Sequence, residues 1–289
     1  MTGSALHAIP LRFGLGAGRP RRRALAGNWA AYAGAGLVAA IALGWTGLRV
    51  RPAPLPPVPG PLAERGSVPV PTDVPAPVAL YYRATFGDSV PVVDSAIITA
   101  HGDINLNGLT FPGRFRFTHL AGRAYRHYID GSWFGVPLIK VNERFMNGRS
   151  RLEIPIGPVD NDPNTNAAAE VGLWMESAWL PSVFVTDPRV HWQPVDDTHA
   201  LQIVDTATGE ERFNVTFDGV TGLIRQVDTM RYRSPKDTAK TPYRGTTLEW
   251  RDFDGLRLPV VMTAQWMDTS KPVFKFVVED IAYNADVSG

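Results

Sequence analysis

Hydrophobic positions along the chain fall into three regimes. From Ala24 to Leu48 run 25 residues without a charge, the most polar of them Asn28. A helix of that length is roughly 37 Å long, enough to cross a hydrocarbon core of roughly 30 Å with tilt. Trp29 and Tyr32 lie near one end and Trp45 near the other, where amphipathic rings favour a membrane interface. The second regime, Pro52 to Pro77, holds ten prolines in 26 residues. Proline fixes φ and lacks an N–H, so this stretch predicts an extended, polyproline-like spacer. The third regime starts at Val78 with a short helix over Val78–Thr85 and then alternates with period two.

Phe115 and Phe117 alternate with Arg114, Arg116 and Thr118, and Tyr125, His127 and Ile129 share one parity. Phe213, Val215 and Phe217 make a further row, as do Leu258, Val260, Met262, Ala264 and Trp266, and then Phe274, Phe276 and Val278. Such alternation predicts strands buried on one face. Turn dipeptides separate the rows: Asp130-Gly131, Asn147-Gly148, Thr208-Gly209, Asp218-Gly219 and Asp254-Gly255. Short links require antiparallel neighbours, and the count is about nine to eleven strands between residues 94 and 284. Asn164 to Leu180 breaks the pattern with helical spacing of Ala167, Val171, Trp174, Met175, Ala178 and Trp179, after a capping run Asp160–Asn166 and before Pro181. The predicted fold is mainly β with one long helix (α+β). It is a curved antiparallel sheet or half-barrel, covered by that helix and preceded by one transmembrane helix. The expected domains are a basic cytoplasmic N-terminus (1–23), a transmembrane anchor (24–48), a Pro-rich stalk (49–77) and an extracytoplasmic half-barrel (78–289).

Charge sharpens the topology. The chain carries 29 Lys and Arg against 28 Asp and Glu, yet residues 1–51 hold seven arginines and no acid. Five arginines precede the apolar segment, so the positive-inside bias places the N-terminus in the cytoplasm and the globular part outside a cell (inner) membrane. Leu48-Arg49-Val50-Arg51-Pro52 is a poor cleavage context, which favours an anchor over a removed signal. Gly36, Ala40 and Gly44 form a small-residue stripe through which two such helices can touch as a homodimer. The acidic remainder argues against nucleic acid as partner. The absence of Cys excludes disulfides, Cys-ligated metals and a Cys nucleophile.

Candidate chemistry is thin. His191, Asp196, Asp197 and His199 form the densest polar cluster, able to ligate a metal or to act as an acid–base pair, though its composition is also that of a turn. His127 reads as a packed strand residue. Glu176 is solvated unless it turns inward beside Trp179, where burial would raise its pKa. Arg114, Arg116, Arg123 and Arg126 make a basic group on neighbouring strands, read as a solvated face. No Gly-x-Ser-x-Gly, HExxH, GxGxxG or P-loop pattern occurs. No catalytic residue, metal or cofactor is therefore assigned. If the helix fails to seat fully on the sheet, Trp174, Met175, Trp179, Phe217, Met262, Trp266 and Phe276 would line an apolar pocket.

Several segments carry a resemblance. Pro75-Ala76-Pro77-Val78-Ala79-Leu80-Tyr81-Tyr82, Glu176-Ser177-Ala178-Trp179-Leu180-Pro181-Ser182 and Trp192-Gln193-Pro194-Val195-Asp196-Asp197 recur in order, followed by Ala200, Arg231, Tyr232, Arg233 and Gly245. The chain thereby resembles an uncharacterised family of bacterial and archaeal membrane-anchored proteins, a domain of unknown function, over about residues 74–284. That resemblance implies an architecture similar to the half-barrel of lipoprotein-sorting carriers, which holds acyl chains around helices. The expected function is a membrane-tethered extracytoplasmic binding module for an apolar, lipid-like ligand. The rivals are an anchored enzyme using the 191–199 cluster and a non-catalytic envelope assembly partner.

Overall fold

Helix α1 spans Arg23–Gly47. Its Trp29–Gly47 portion is long and apolar enough, by length and composition, to cross a membrane, and only a small share of it is buried. Trp29, Tyr32, Leu37, Val38 and Ile41 are all exposed, so the helix is apolar all round with no polar face to turn to water. The computed structural model describes residues 23–58, 66–253 and 255–287. The expected basic head therefore lies outside the described residues but for the backbone of Arg23, as do residues 59–65 of the expected stalk. Residues 1–45 and 46–289 are two separate units, and the second carries the sheet.

That second unit opens with strand β1 (Ser67–Pro69), helix α2 (Ala76–Phe86) and strand β2 (Ser89–Pro91). Six strands follow: β3 (Ser95–Leu106), β4 (Leu109–Leu120), β5 (Ala124–Trp133), β6 (Val136–Met146), β7 (Arg149–Ile154) and β8 (Gly157–Asp160). Helix α3 (Pro163–Glu176) runs into a 3-10 turn (Ser177–Trp179) and a short helix α4 (Val183–Thr186). The chain then adds β9 (Val190–Pro194), β10 (His199–Thr206), β11 (Gly209–Phe217), β12 (Ile224–Arg231), β13 (Thr241–Phe253), β14 (Leu256–Trp266) and β15 (Phe274–Tyr283).

Strands β3 to β15 form one 13-stranded sheet in the order β8-β7-β6-β5-β4-β3-β15-β14-β13-β12-β11-β10-β9. Every pairing is antiparallel, and β15 returns to pair with β3, so the first and last long strands meet in the middle. The edges are β8 and β9, which do not pair; the sheet is open. It has more strands than alternation alone revealed, because β8 and β9 flank α3 and have only four and five residues in which a period can register.

The sheet must curl strongly. Helix α3 contacts β6 and β7 on one side and β12 on the other. In a flat sheet β7 and β12 would lie eight strand spacings, roughly 38 Å, apart. Small residues permit the bend: Gly102, Gly113 and Gly131 are direct cross-strand neighbours on β3, β4 and β5, with the Ile104 side chain folded against the last two. Asp130-Gly131, expected as a turn, thus lies inside β5. The buried Asp130 carboxylate accepts from Arg114 Nε at 2.9 Å and Tyr128 OH at 3.0 Å, and β5 continues past it through a register shift at Gly131/Ser132. The hairpin turns instead at Phe134 and Gly135, both at positive φ.

Part of the concave face, around β10 and β14, is covered by α2. Tyr81 packs on Phe217 and Trp250, while Tyr82 OH donates to the Phe184 carbonyl at 3.0 Å and accepts from Trp192 Nε1 at 2.8 Å. The described parts of the Pro-rich segment also bind this unit instead of standing free as a spacer. Arg114 and Arg116 on the convex face donate to the carbonyls of Ala53 and Pro56, β1 pairs with β2, and Val68, Val70 and Val74 pack on the core. A proline-rich chain lacks donors but keeps its carbonyls, and the two arginines satisfy them.

Candidate functional site: a cavity beneath helix α3

Helix α3 is pinned at its two ends. At the start, Asp162 accepts from the Thr165 N–H at 2.9 Å with Pro163 in the first turn, and Asn166 Oδ1 accepts from the Ser150 N–H at 2.7 Å. Arg231 Nε adds a bond to the Ala168 carbonyl at 3.0 Å. Beyond the C-terminus, Trp179 Nε1 donates to the Pro259 carbonyl at 3.1 Å and Tyr283 OH donates to the Trp179 carbonyl at 2.5 Å. Between these anchor points the helix stands off the sheet and leaves a cavity of about 460 Å³.

Its walls are mostly apolar. Met175, Trp179, Met262, Trp266 and Phe276, expected from the sequence, all line it, together with Phe117, Ile129, Val141 and Phe274. Gly245 is what lets Met175 reach the sheet: a Cβ there would lie 2.9 Å from the Met175 Cε. Two expected wall residues are elsewhere. Trp174 turns away from the cavity, donating to Glu170 at 3.1 Å under the guanidinium of Arg189, and Phe217 lies beneath α2. The helical spacing that grouped Trp174 with Met175 could not separate them, since consecutive residues differ by about 100° around the axis.

One part of the wall is ionisable. His127 Nε2 donates to Glu176 Oε2 at 2.7 Å, and His119 Nε2 stands 3.1 Å from the same oxygen. His127 Nδ1 faces Glu143 Oε2 at 3.4 Å, and Tyr125 OH donates to Glu143 Oε1 at 2.8 Å while its ring stacks on His127 with centroids 4.0 Å apart. Arg231 lies over the Tyr243 ring with its charge directed at Glu143 and Glu176. Burial disfavours charge on His127, but Glu176 and Glu143 outweigh it and lift its pKa to about 9. Burial likewise opposes ionisation of Glu176, but His127 and His119 outweigh it and hold the carboxyl at about 2. An inward Glu176 was expected to have a raised pKa; two imidazoles reverse the sign. His119 is shifted down, chiefly by burial, and is neutral. Two carboxylates are thus matched by one imidazolium and one guanidinium, which makes the buried set tolerable.

The 191–199 residues do not converge into a site. His191 pairs with Asp205 at 3.0 Å and His199 with Asp196 at 2.8 Å, and all four partners are well exposed. Asp196 accepts from the Thr198 N–H at 2.8 Å, and that bond with the His199 contact lowers its pKa to about 2. Asp197 is exposed on the same turn, so the segment is turn scaffolding on the β9–β10 link. On the convex face Arg126 is exposed beside cross-strand Arg144 and not beside an acid, while Arg114 and Arg116 of the same group bond to the Ala53 and Pro56 carbonyls.

Solved structures with a related outline include a DUF1329 family protein from Desulfovibrio piger, 13% identical with a TM-score of 0.42 over 68% of this chain and 88% of that one. A putative outer membrane lipoprotein-sorting protein domain from Vibrio parahaemolyticus is 12% identical with a TM-score of 0.41, covering 67% and 86%. A LolA superfamily protein from Nitrosomonas europaea is 9% identical with a TM-score of 0.42, covering 72% and 93%. No curated protein matches the chain. Residues 68–276, which hold α2, α3 and the whole cavity wall, match a family of unknown function, DUF6544, and the chain belongs to that family.

Proposed function

We propose that this protein is a membrane-tethered, extracytoplasmic binding module for an apolar, lipid-like ligand, with α1 as the tether. The observation that carries this reading is the cavity of about 460 Å³ between α3 and the concave sheet face. Protein interiors are close-packed, and a space of this size walled by Trp179, Trp266, Met175, Met262 and Phe276 has no packing purpose. At about 30 Å³ per water-sized group it has room for roughly fifteen such groups, the scale of one acyl chain. The two thioethers suit a flexible guest, because Met adapts to irregular apolar surfaces. Glu176, His127 and Arg231 give the guest's polar end a place to meet charge without entering an apolar wall.

Five arginines before the apolar run, against Arg49 and Arg51 just after it, support an N-in orientation. Gly36 and Ala40 are exposed on α1 and share the i, i+4 spacing with Gly44, which would let two tethers pack. The rival based on His191, Asp196, Asp197 and His199 finds no support in side chains spread over exposed β9 and the turn that follows it. The test is a titration of residues 46–289 with an environment-sensitive fluorescent fatty acid. One saturable site per chain, with energy transfer from Trp179 and Trp266, supports the reading; linear, non-saturable partitioning overturns it.

A further inference from the structure

An apolar guest needs no histidines, yet His127 stands in the cavity wall and His119 converges with it on Glu176. The ligating atoms of His119, His127 and Glu176 all lie within 4.8 Å of one another. We propose that His119, His127 and Glu176 bind a single divalent transition-metal ion, Zn²⁺ by preference, with an open coordination position facing the cavity.

Four observations carry this. The donor set is two imidazole nitrogens and one carboxylate oxygen, a combination that suits Zn²⁺ and its neighbours and not the all-oxygen preference of Mg²⁺ or Ca²⁺. His119 Nε2 is buried 3.1 Å from Glu176 Oε2 at an angle outside good hydrogen-bond geometry, so the two atoms are close without a well-formed bond between them. The side chain of His119 is 1% exposed, and an ion between the three groups would give its lone pair a partner.

The remaining two observations concern what surrounds the three groups. His127 presents Nε2 to the site while its Nδ1 faces Glu143, itself held by Tyr125; a carboxylate behind a metal-ligating imidazole fixes its tautomer and raises its basicity. The ligands also stand on three braced elements. His119 and His127 come from adjacent strands β4 and β5, diagonal across one pairing step with ring centroids 6.0 Å apart, and Glu176 comes from the pinned end of α3. Three protein ligands leave a fourth position vacant, and Glu176, 21% exposed, opens onto the cavity. With the His127 proton displaced, a divalent ion leaves the set of two carboxylates and Arg231 with one excess positive charge. An anionic group, such as the head of an acyl chain, complements that charge.

The proposal stands on the side chains themselves and is tested without any lipid, so its failure leaves the apolar cavity untouched and the converse also holds. The full chain, carrying a histidine-free tag in a non-chelating detergent, is stripped with a chelator and titrated with Zn²⁺ alone and with Co²⁺ alone. The expected result is one ion per chain, with the intense visible bands of a low-coordinate Co²⁺ site. His119→Gln and Glu176→Gln should each weaken binding more than tenfold, Glu143→Gln about 10- to 100-fold through its support of His127, and the exposed His191→Gln not at all. Thermal melts identify which variants fold. A folded wild-type chain that takes up no stoichiometric Zn²⁺ and gives only the pale spectrum of hydrated Co²⁺ overturns the proposal, as do folded His119→Gln and Glu176→Gln variants that bind as the wild type does. Should neither variant fold, the wild-type stoichiometry and Co²⁺ spectrum decide.

Discussion

Ala264→Trp separates a real cavity from a tightly filled core. Ala264 lies on β14 opposite Gly245 and Phe274, and its side chain is on the cavity wall. An indole there enters space that is vacant and displaces about four methylenes of a bound chain. At about 0.8 kcal/mol per buried methylene the loss is roughly 3 kcal/mol, a weakening of about 100-fold or more. Because the ring finds room, the substitution should leave the melting temperature within a few degrees of the wild type. A filled core would respond in the opposite sense, since forcing a large ring into close packing costs about 1–3 kcal/mol. The assay pairs the fatty-acid titration with a thermal melt of the same sample. Undiminished probe affinity, or a clear loss of stability, refutes the reasoning.

Other substitutions read other parts of the molecule. Arg231→Met leaves Glu143 and Glu176 short of one positive charge and removes the bond to the Ala168 carbonyl, so denaturant melts should show a loss of about 3–5 kcal/mol. Trp179→Ala empties the core beside Phe117 and Phe276 and frees the Pro259 carbonyl, at about 3–5 kcal/mol in the same assay. In chelator-treated protein the Glu176–His127 pair gives a pH signature. Glu176 stabilises fully above its ordinary 4.5 and fails as pH falls through about 2; His127 stabilises fully below its ordinary 6.5 and fails as pH rises through about 9. Melting temperature should therefore decline on raising pH from 6.5 to 9, and Glu176→Gln should flatten that limb. Replacing Arg116 by Ala should release the chain around Pro56, measured as faster cleavage there by a proteinase with little change in global melting, whereas Arg114 is kept because it also pairs with the buried Asp130.

The sequence reached the fold because both periods were strong. Phe115, Phe117, Tyr125 and Ile129 state their face by parity, and the helix over 164–180 announced itself by capping residues and by Pro181. It also reached five of the cavity's wall residues, since large apolar side chains on an inner face have few other places to be. It missed the ionisable cluster for a physical reason. His119, His127, Glu143 and Glu176 come from three strands and a helix, and each alone looks like an ordinary polar residue; only the register that sets His127 opposite Phe117 and Glu143 brings them together. The local density of His191 to His199 drew attention instead, yet neighbours in sequence on a hairpin turn mostly bond to their own backbone. The spacing of prolines predicted an extended conformation for 52–77, but composition says nothing about which surface an extended chain will meet.

The central claim is that the space under α3 holds a guest. Native mass spectrometry of residues 46–289, produced without the α1 tether and purified without detergent or added lipid, and compared with Ala264→Trp prepared in parallel, tests it most directly. The account predicts a fraction of the wild-type chain heavier by one acyl-chain-bearing molecule and a bare mass for the variant. Only bare protein in the wild type, even after incubation with lipid vesicles, would contradict it.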